Sequence, residues 1–150
     1  PMGNDLNNSY PTGKQSGSVY LFQRESNCHD SICAHDWIEV QKFTPLDGID
    51  FPSDAAQFGW SVATQKELDS VHQIVVIGSP GYDHSTGKVY LFRGSGTSWL
   101  FFGHLSSTVW GPGESNDRFG DSVQINRDTI LVSAPGYSNH KGAVFVFRQG

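Results

Sequence analysis

The sequence predicts an all-β fold built from four-stranded antiparallel units repeated in series. The first observation behind this is internal repetition. Phe58-Gly59-Trp60-Ser61-Val62, Gly78-Ser79-Pro80-Gly81-Tyr82 and Gly87-Lys88-Val89-Tyr90-Leu91-Phe92 follow one another along the chain. They return in the same order as Phe119-Gly120-Asp121-Ser122-Val123, Ser133-Ala134-Pro135-Gly136-Tyr137 and Gly142-Ala143-Val144-Phe145-Val146-Phe147. A partial copy, Gly17-Ser18-Val19-Tyr20-Leu21-Phe22, precedes both. Repetition on this scale marks a modular array whose units bury their apolar faces against one another. The second observation is composition: 17 glycines and 13% aromatic residues combine frequent turns with strand formers. The third is that no segment holds a helical apolar period over a useful length, while short apolar runs alternate with turn signals.

Residues 1–16 are rich in Asn, Ser, Gly and Pro and read as a loop or disordered lead-in. Gly17–Arg24 has apolar side chains on both faces, the pattern of a strand buried on both sides. Ser26–Asp36 reads as a polar insertion. Trp37–Phe43 alternates apolar with polar residues, as a strand with one wet face does. Thr44–Gln57 is a long loop. Phe58–Thr64 is a strand, Gln65–His72 a polar turn, and Gln73–Gly78 an apolar strand closed by Ser79-Pro80-Gly81. Lys88–Arg93 and Trp99–Leu105 form a hairpin through Gly94-Ser95-Gly96-Thr97. Ser106–Arg118 is the second long loop. Phe119–Ile125 and Thr129–Ser133 are joined by Asn126-Arg127-Asp128, and Ala143–Arg148 is the last strand.

One full unit has four strands: the first opens at Phe-Gly, the second ends at Pro-Gly, the third is Val-aromatic-x-Phe, and the fourth opens at Trp. Residues 17–43 then form a partial blade, 58–105 a full blade and 119–150 a second partial blade. Four-stranded sheets in series are propeller blades, and a ring needs about four to eight of them. Nine strands do not close one. The expectation is therefore a fragment of a longer propeller, or a ring that several chains complete as a homo-oligomer.

Net charge is −5, with acidic and basic residues interspersed, so no basic nucleic-acid footprint is present. The aromatic residues fall at strand positions rather than on base-stacking platforms. No apolar run approaches the roughly 20 residues of a membrane-spanning helix; no amino-terminal signal peptide is visible, which is compatible with one already removed. Cys28 and Cys33 share the polar insertion, where they form a disulfide in an oxidising compartment or stand as free surface thiols. Their spacing, with His29 and His35 nearby, matches no zinc signature.

Phe58-Gly59 with Gly78-Ser79-Pro80, and Phe119-Gly120 with Ser133-Ala134-Pro135, are each followed by Gly-x-Val-aromatic-x-Phe. These motifs resemble the FG-GAP repeats of integrin α-subunit β-propellers and their microbial relatives, and the resemblance spans roughly residues 17 to 150. It implies that Phe58 and Phe119 pack between blades, and that Pro80 and Pro135 shape the turn leaving the second strand. Bottom-up, glycine suits a position where a Cβ clashes, and proline is tolerated at a strand end. Calcium-binding members of the family carry an Asp-x-Asp-x-Asp-Gly type loop between strands 1 and 2. Here Gln65–His72 offers only Glu67 and Asp69, and Asn126-Arg127-Asp128 is too short to wrap an ion that needs six to eight oxygens. No metal and no cofactor are expected in these loops. Asp47, Asp50 and Asp54 read as solvated surface.

The resemblance implies that ligands bind on the face made by the 2–3 and 4–1 loops. The 2–3 loops hold Tyr82, Asp83 and His84, and Tyr137, Asn139 and His140; the second 4–1 loop holds Trp110. Exposed Tyr, Trp and His are typical binding residues on loops that a rigid scaffold presents. The competing reading packs both tyrosines against a neighbouring blade and leaves the polar residues as plain surface. No Gly-x-Ser-x-Gly elbow, His-Glu-x-x-His or phosphate loop is present, so no enzyme is expected. Asp83 and His84 form a base and orienter only if adjacent loop residues converge, which is uncommon. The function expected is an extracellular or cell-surface adhesion module for a protein or glycan partner. The alternatives are a lectin-like self-assembling module and a non-catalytic accessory segment of a secreted hydrolase.

Overall fold

The computed structural model describes residues 16–29, 32–45, 55–67, 71–110 and 113–149, without the side chains of 25–29, 32–36 and 109–110. The acidic loop residues Asp47, Asp50 and Asp54 and the lead-in 1–15 lie outside that range.

Three antiparallel sheets follow one another. The first pairs β1 (Val19–His29) with β2 (Ile32–Phe43). The second has the order β3 (Ser61–Lys66), β4 (Gln73–Ser79), β5 (Lys88–Ser95), β6 (Ser98–Leu105). The third has the order β7 (Val123–Asn126), β8 (Thr129–Ala134), β9 (Ala143–Arg148). The chain is thus all-β, with propeller-type blades of two, four and three strands. Sheets one and two repeat even an irregularity: the register slips between Leu21 and Phe22, and again at the equivalent Leu91 and Phe92.

The central strands of the middle sheet, β4 and β5, are buried because each face has a neighbour. In β4, successive residues from Ile74 to Ser79 are all buried. Alternation sends Val75 and Ile77 toward the first sheet, where they meet Phe43, Phe58, Tyr90 and Phe92. It sends Ile74 and Val76 toward the third sheet, where they meet Val89, Leu91, Phe119, Val132, Ala134 and Phe145. Phe58 and Phe119 are each fully buried, one in each interface. Phe58 stands edge-on to Tyr90 at 5.1 Å, and Phe119 to Phe145 at 5.3 Å.

The outer sheets expose what the middle sheet hides. Val144 and Val146 are 65% and 51% exposed, whereas their counterparts Val89 and Leu91 are 0% and 9% exposed. Gly17–Arg24 does not form the strand buried on both sides that its pattern predicts. Phe22 is exposed, because among the described residues no sheet covers that face of β1. Pro135 is exposed where the equivalent Pro80 is buried, for the same reason.

Two further expectations change. Most of the polar stretch Ser26–Asp36 is not an insertion but the tip of the β1–β2 hairpin, and it stays in register through His29 and Ile32. The Phe-Gly steps are not strand residues: β3 begins at Ser61 and β7 at Val123. Gln57 and Gly59, and Arg118 and Gly120, have positive φ, so each Phe sits in a tight turn that points its ring between sheets. Backbone bonds repeat there: Phe58 N–H donates to Ser16 O at 2.8 Å, and Phe119 N–H to Thr86 O at 3.0 Å. Gly17 and Gly87, beside these acceptors, have φ of +83° and +88°, and a Cβ on either overlaps the carbonyl of Phe58 or Phe119.

Phe119→Ala is expected to cost about 3–5 kcal/mol of unfolding free energy, measured by urea denaturation, because the ring leaves a cavity between two sheets. Gly87→Ala is expected to cost more than about 2 kcal/mol. Gly96→Ala, with φ +53° but nothing near its Cβ position, is expected to stay within about 1 kcal/mol of the parent. Equal losses at the two glycines contradict the close-approach account.

Candidate loop-face binding site

Each 2–3 loop forms a short left-handed turn. In Tyr82–Ser85, which follows the N-cap Gly81, the residues Asp83, His84 and Ser85 have φ of 46°, 55° and 63°. In Tyr137–His140, which follows Gly136, the residues Ser138, Asn139 and His140 have φ of 55°, 57° and 64°. A left-handed conformation costs a non-glycine residue about 1–2 kcal/mol. Asp and Asn tolerate it best, and both loops carry one of them, the only trace of this geometry in the sequence. Each turn closes on itself, Gly87 N–H donating to Tyr82 O at 2.9 Å and Gly142 N–H to Tyr137 O at 3.0 Å.

The neighbouring 4–1 loop supplies the compensation. Asn116, Arg118 and Phe119 donate their N–H groups to His84 O, Ser85 O and Thr86 O at 3.2, 2.7 and 3.0 Å. The same segment reaches the other turn, since Gly136 N–H donates to Asp117 O at 3.1 Å. Asp117 is buried and closes the segment by accepting Glu114 N–H at 2.9 Å through Oδ2. Residues 114–118 therefore bridge the two turns, and all three elements lie at one end of the sheets.

The expected residues divide. Tyr82 is half-buried, and the Lys88 ammonium lies 4.5 Å from its ring centroid and 5.6 Å from that of Tyr90. Tyr137 is half-buried and edge-on to Phe145 at 5.3 Å. Both tyrosines thus have packing partners on their own sheet. Asp83, His84, Asn139 and His140 are exposed. Asp83 and His84 do converge: His84 Nδ1 is 3.0 Å from Asp83 Oδ1, with both side chains solvent-facing. The left-handed turn folds neighbouring side chains onto one side, which an extended loop does not do. Trp110 ends a 3-10 turn over Ser107–Trp110, and its side chain lies outside the described residues.

Sequence reasoning missed a second cluster. The Arg118 guanidinium lies 5.6 Å from the Trp60 ring and pairs with Asp121 Oδ1 at 2.7 and 3.1 Å. It joins the first residues of two successive repeats, and nothing in the local sequence brings Trp60 to Arg118. At the opposite end of the sheets, the Gln65 amide donates to Arg127 O at 3.0 Å and accepts Arg127 N–H. Among the described residues, no three His, Cys, Asp or Glu side chains come together as metal ligands. Cys28 and Cys33 are directly opposed in the β1–β2 register. Opposed Cα atoms in an antiparallel pair lie about 4.5–5.5 Å apart, within the roughly 4.4–6.8 Å that a disulfide spans. Among the described residues, no helix is long and apolar enough to cross a membrane.

Comparison with known proteins agrees with this geometry. Residues 111–147 match the FG-GAP repeat model. Human integrin alpha-11 is 25% identical over 147 residues, covering 91% of this chain. The chain spans 11% of that relative's length. The recurring Phe-Gly turn, the apolar stacking of its sheets and these two similarities together identify a chain that carries an FG-GAP repeat of the integrin α-like type.

Proposed function

We propose that this chain is an extracellular or cell-surface adhesion module that binds a protein or glycan partner through the loop face. The observation that carries the reading is the pair of left-handed turns held at one end of the sheets by residues 114–118. The turns are held through main-chain hydrogen bonds, and the side chains of Asp83, His84, Asn139 and His140 are exposed. Loops on a rigid scaffold are where binding residues concentrate. Strain held by surrounding contacts is a further mark of a functional segment. Trp110 belongs to the same loop face by its place in the 4–1 loop, whereas Tyr82 and Tyr137 serve mainly as supports for the turns. The module is non-catalytic in this reading, because the Asp83–His84 pair sits exposed on a surface turn.

The test is retention of the chain on an array of immobilised glycans and extracellular-matrix proteins. At least one saturable signal is expected, falling tenfold or more in the double variant His84→Ala, Asn139→Ala. The control His104→Ala, an exposed β6 residue, is expected to leave it unchanged. Silence across the array, or a signal that both variants share, overturns the proposal.

The extracellular setting also favours a Cys28–Cys33 bond across the hairpin. Intact mass spectrometry of oxidised protein is then expected to show a species two hydrogens lighter than after reduction. Two free, alkylatable thiols in protein from an oxidising compartment contradict it.

A further inference from the structure

β3 meets the third sheet along one side. Ser61, Ala63 and Gln65 are half-buried, while Val62, Thr64 and Lys66 between them are exposed. Ser61 Oγ donates to Gly120 O at 2.7 Å. Ala63 joins the shared apolar cluster with Val123 and Ile125. Gln65 Nε2 donates to Arg127 O at 3.0 Å, and Gln65 Oε1 accepts Arg127 N–H. A glutamine amide carries the donor and acceptor of a peptide group. Gln65 therefore pairs with Arg127 as a residue on a neighbouring antiparallel strand would. Arg127 opens the two-residue connection between β7 and β8, with φ of 55°. A non-glycine residue keeps that conformation only where surrounding contacts offset its cost.

Calcium-binding repeats of this family hold the ion in the loop between strands 1 and 2, and the residues present here do not fit one. Calcium takes about six to eight oxygen ligands. Beside the β3–β4 loop, Glu67 Oε2 accepts Arg93 Nε at 2.8 Å and lies 2.6 Å from Arg93 Nη2. That carboxylate thus already faces a cation. Asp69 lies outside the described residues. In the β7–β8 connection, Asp128 Oδ1 accepts the Thr129 hydroxyl at 2.8 Å, and Asp128 O accepts Gln149 N–H at 2.9 Å. Arg127 O is taken by Gln65. Protein donors therefore engage the oxygens that an ion would need. We infer that the Gln65 amide is a metal-free brace, which fastens the β7–β8 connection to the first strand of the preceding sheet and keeps this end of the junction in place without calcium. With Ser61 it ties β3 to the third sheet at both ends of the contact. The brace lies at the far end of the sheets from the left-handed turns, so it is independent of the loop-face reading.

The test is amide hydrogen exchange and calcium titration of the 15N-labelled 150-residue chain, followed by NMR. In Gln65→Ala the Arg127 amide is expected to exchange about tenfold faster or more, while the amides of β4 and β5 keep their protection. In the control Gln124→Ala, an exposed β7 residue, the Arg127 amide is expected to exchange as in the parent. Calcium at about 5 mM exceeds the roughly 0.1–1 mM dissociation constants of weak extracellular sites. It is expected to leave the amide resonances of Gln65, Glu67, Arg127 and Asp128 where they are. Arg127 exchange that Gln65→Ala does not change, equal acceleration in Gln124→Ala, or a saturable calcium shift at these four residues overturns the inference.

Discussion

The fold depends on one junction, made once between each pair of successive sheets. A Phe-Gly turn drives its ring between the sheets, while the backbone N–H of the same Phe donates to a carbonyl just ahead of β1 or β5, Ser16 O or Thr86 O. The ring supplies the apolar burial that neither sheet achieves alone. The hydrogen bond fixes how far one sheet slides along the next. Glycine across from the turn keeps the backbones close enough for both. Ser61 Oγ adds a link at the second junction by donating to Gly120 O at 2.7 Å. Remove the ring and the sheets lose their shared core; remove the close approach and the bond lengthens.

The same junction explains the loop face. The carbonyls of His84, Ser85 and Thr86 reach the next sheet only if the chain turns left-handed through three residues that are not glycine. The conformational cost is offset by bonds to Asn116, Arg118 and Phe119. The bonds that tie this turn to the next sheet run from main chain to main chain. The second turn, Tyr137–His140, adopts the same geometry without a following sheet among the described residues, so the conformation is encoded locally and the neighbour stabilises it.

Much of the fold was legible from one sequence. The repeated Phe-Gly, Pro-Gly and Val-aromatic-x-Phe segments marked the strand order, and the described strands follow it. What escaped was anything that depends on a partner strand or sheet. The polar run from Ser26 looked like an insertion, because polar residues with no apolar face give no periodic signal until the partner strand is known. Tyr82 and Tyr137 pack against Lys88 and Phe145 of their own sheets, contacts that the sequence reading did not name. Asp83 and His84 looked too close in sequence to meet, and a left-handed turn joins them.

By itself the sequence determined the secondary structure class, the four-strand unit and the residues that wedge sheets together, because hydrophobic period and glycine placement are local properties of the chain. Only the tertiary structure decided which aromatic residues are framework and which face solvent. Burial is a property of pairs of sheets: Val89 and Val144 stand in equivalent positions, and one is hidden while the other is open solely because a neighbour covers the first.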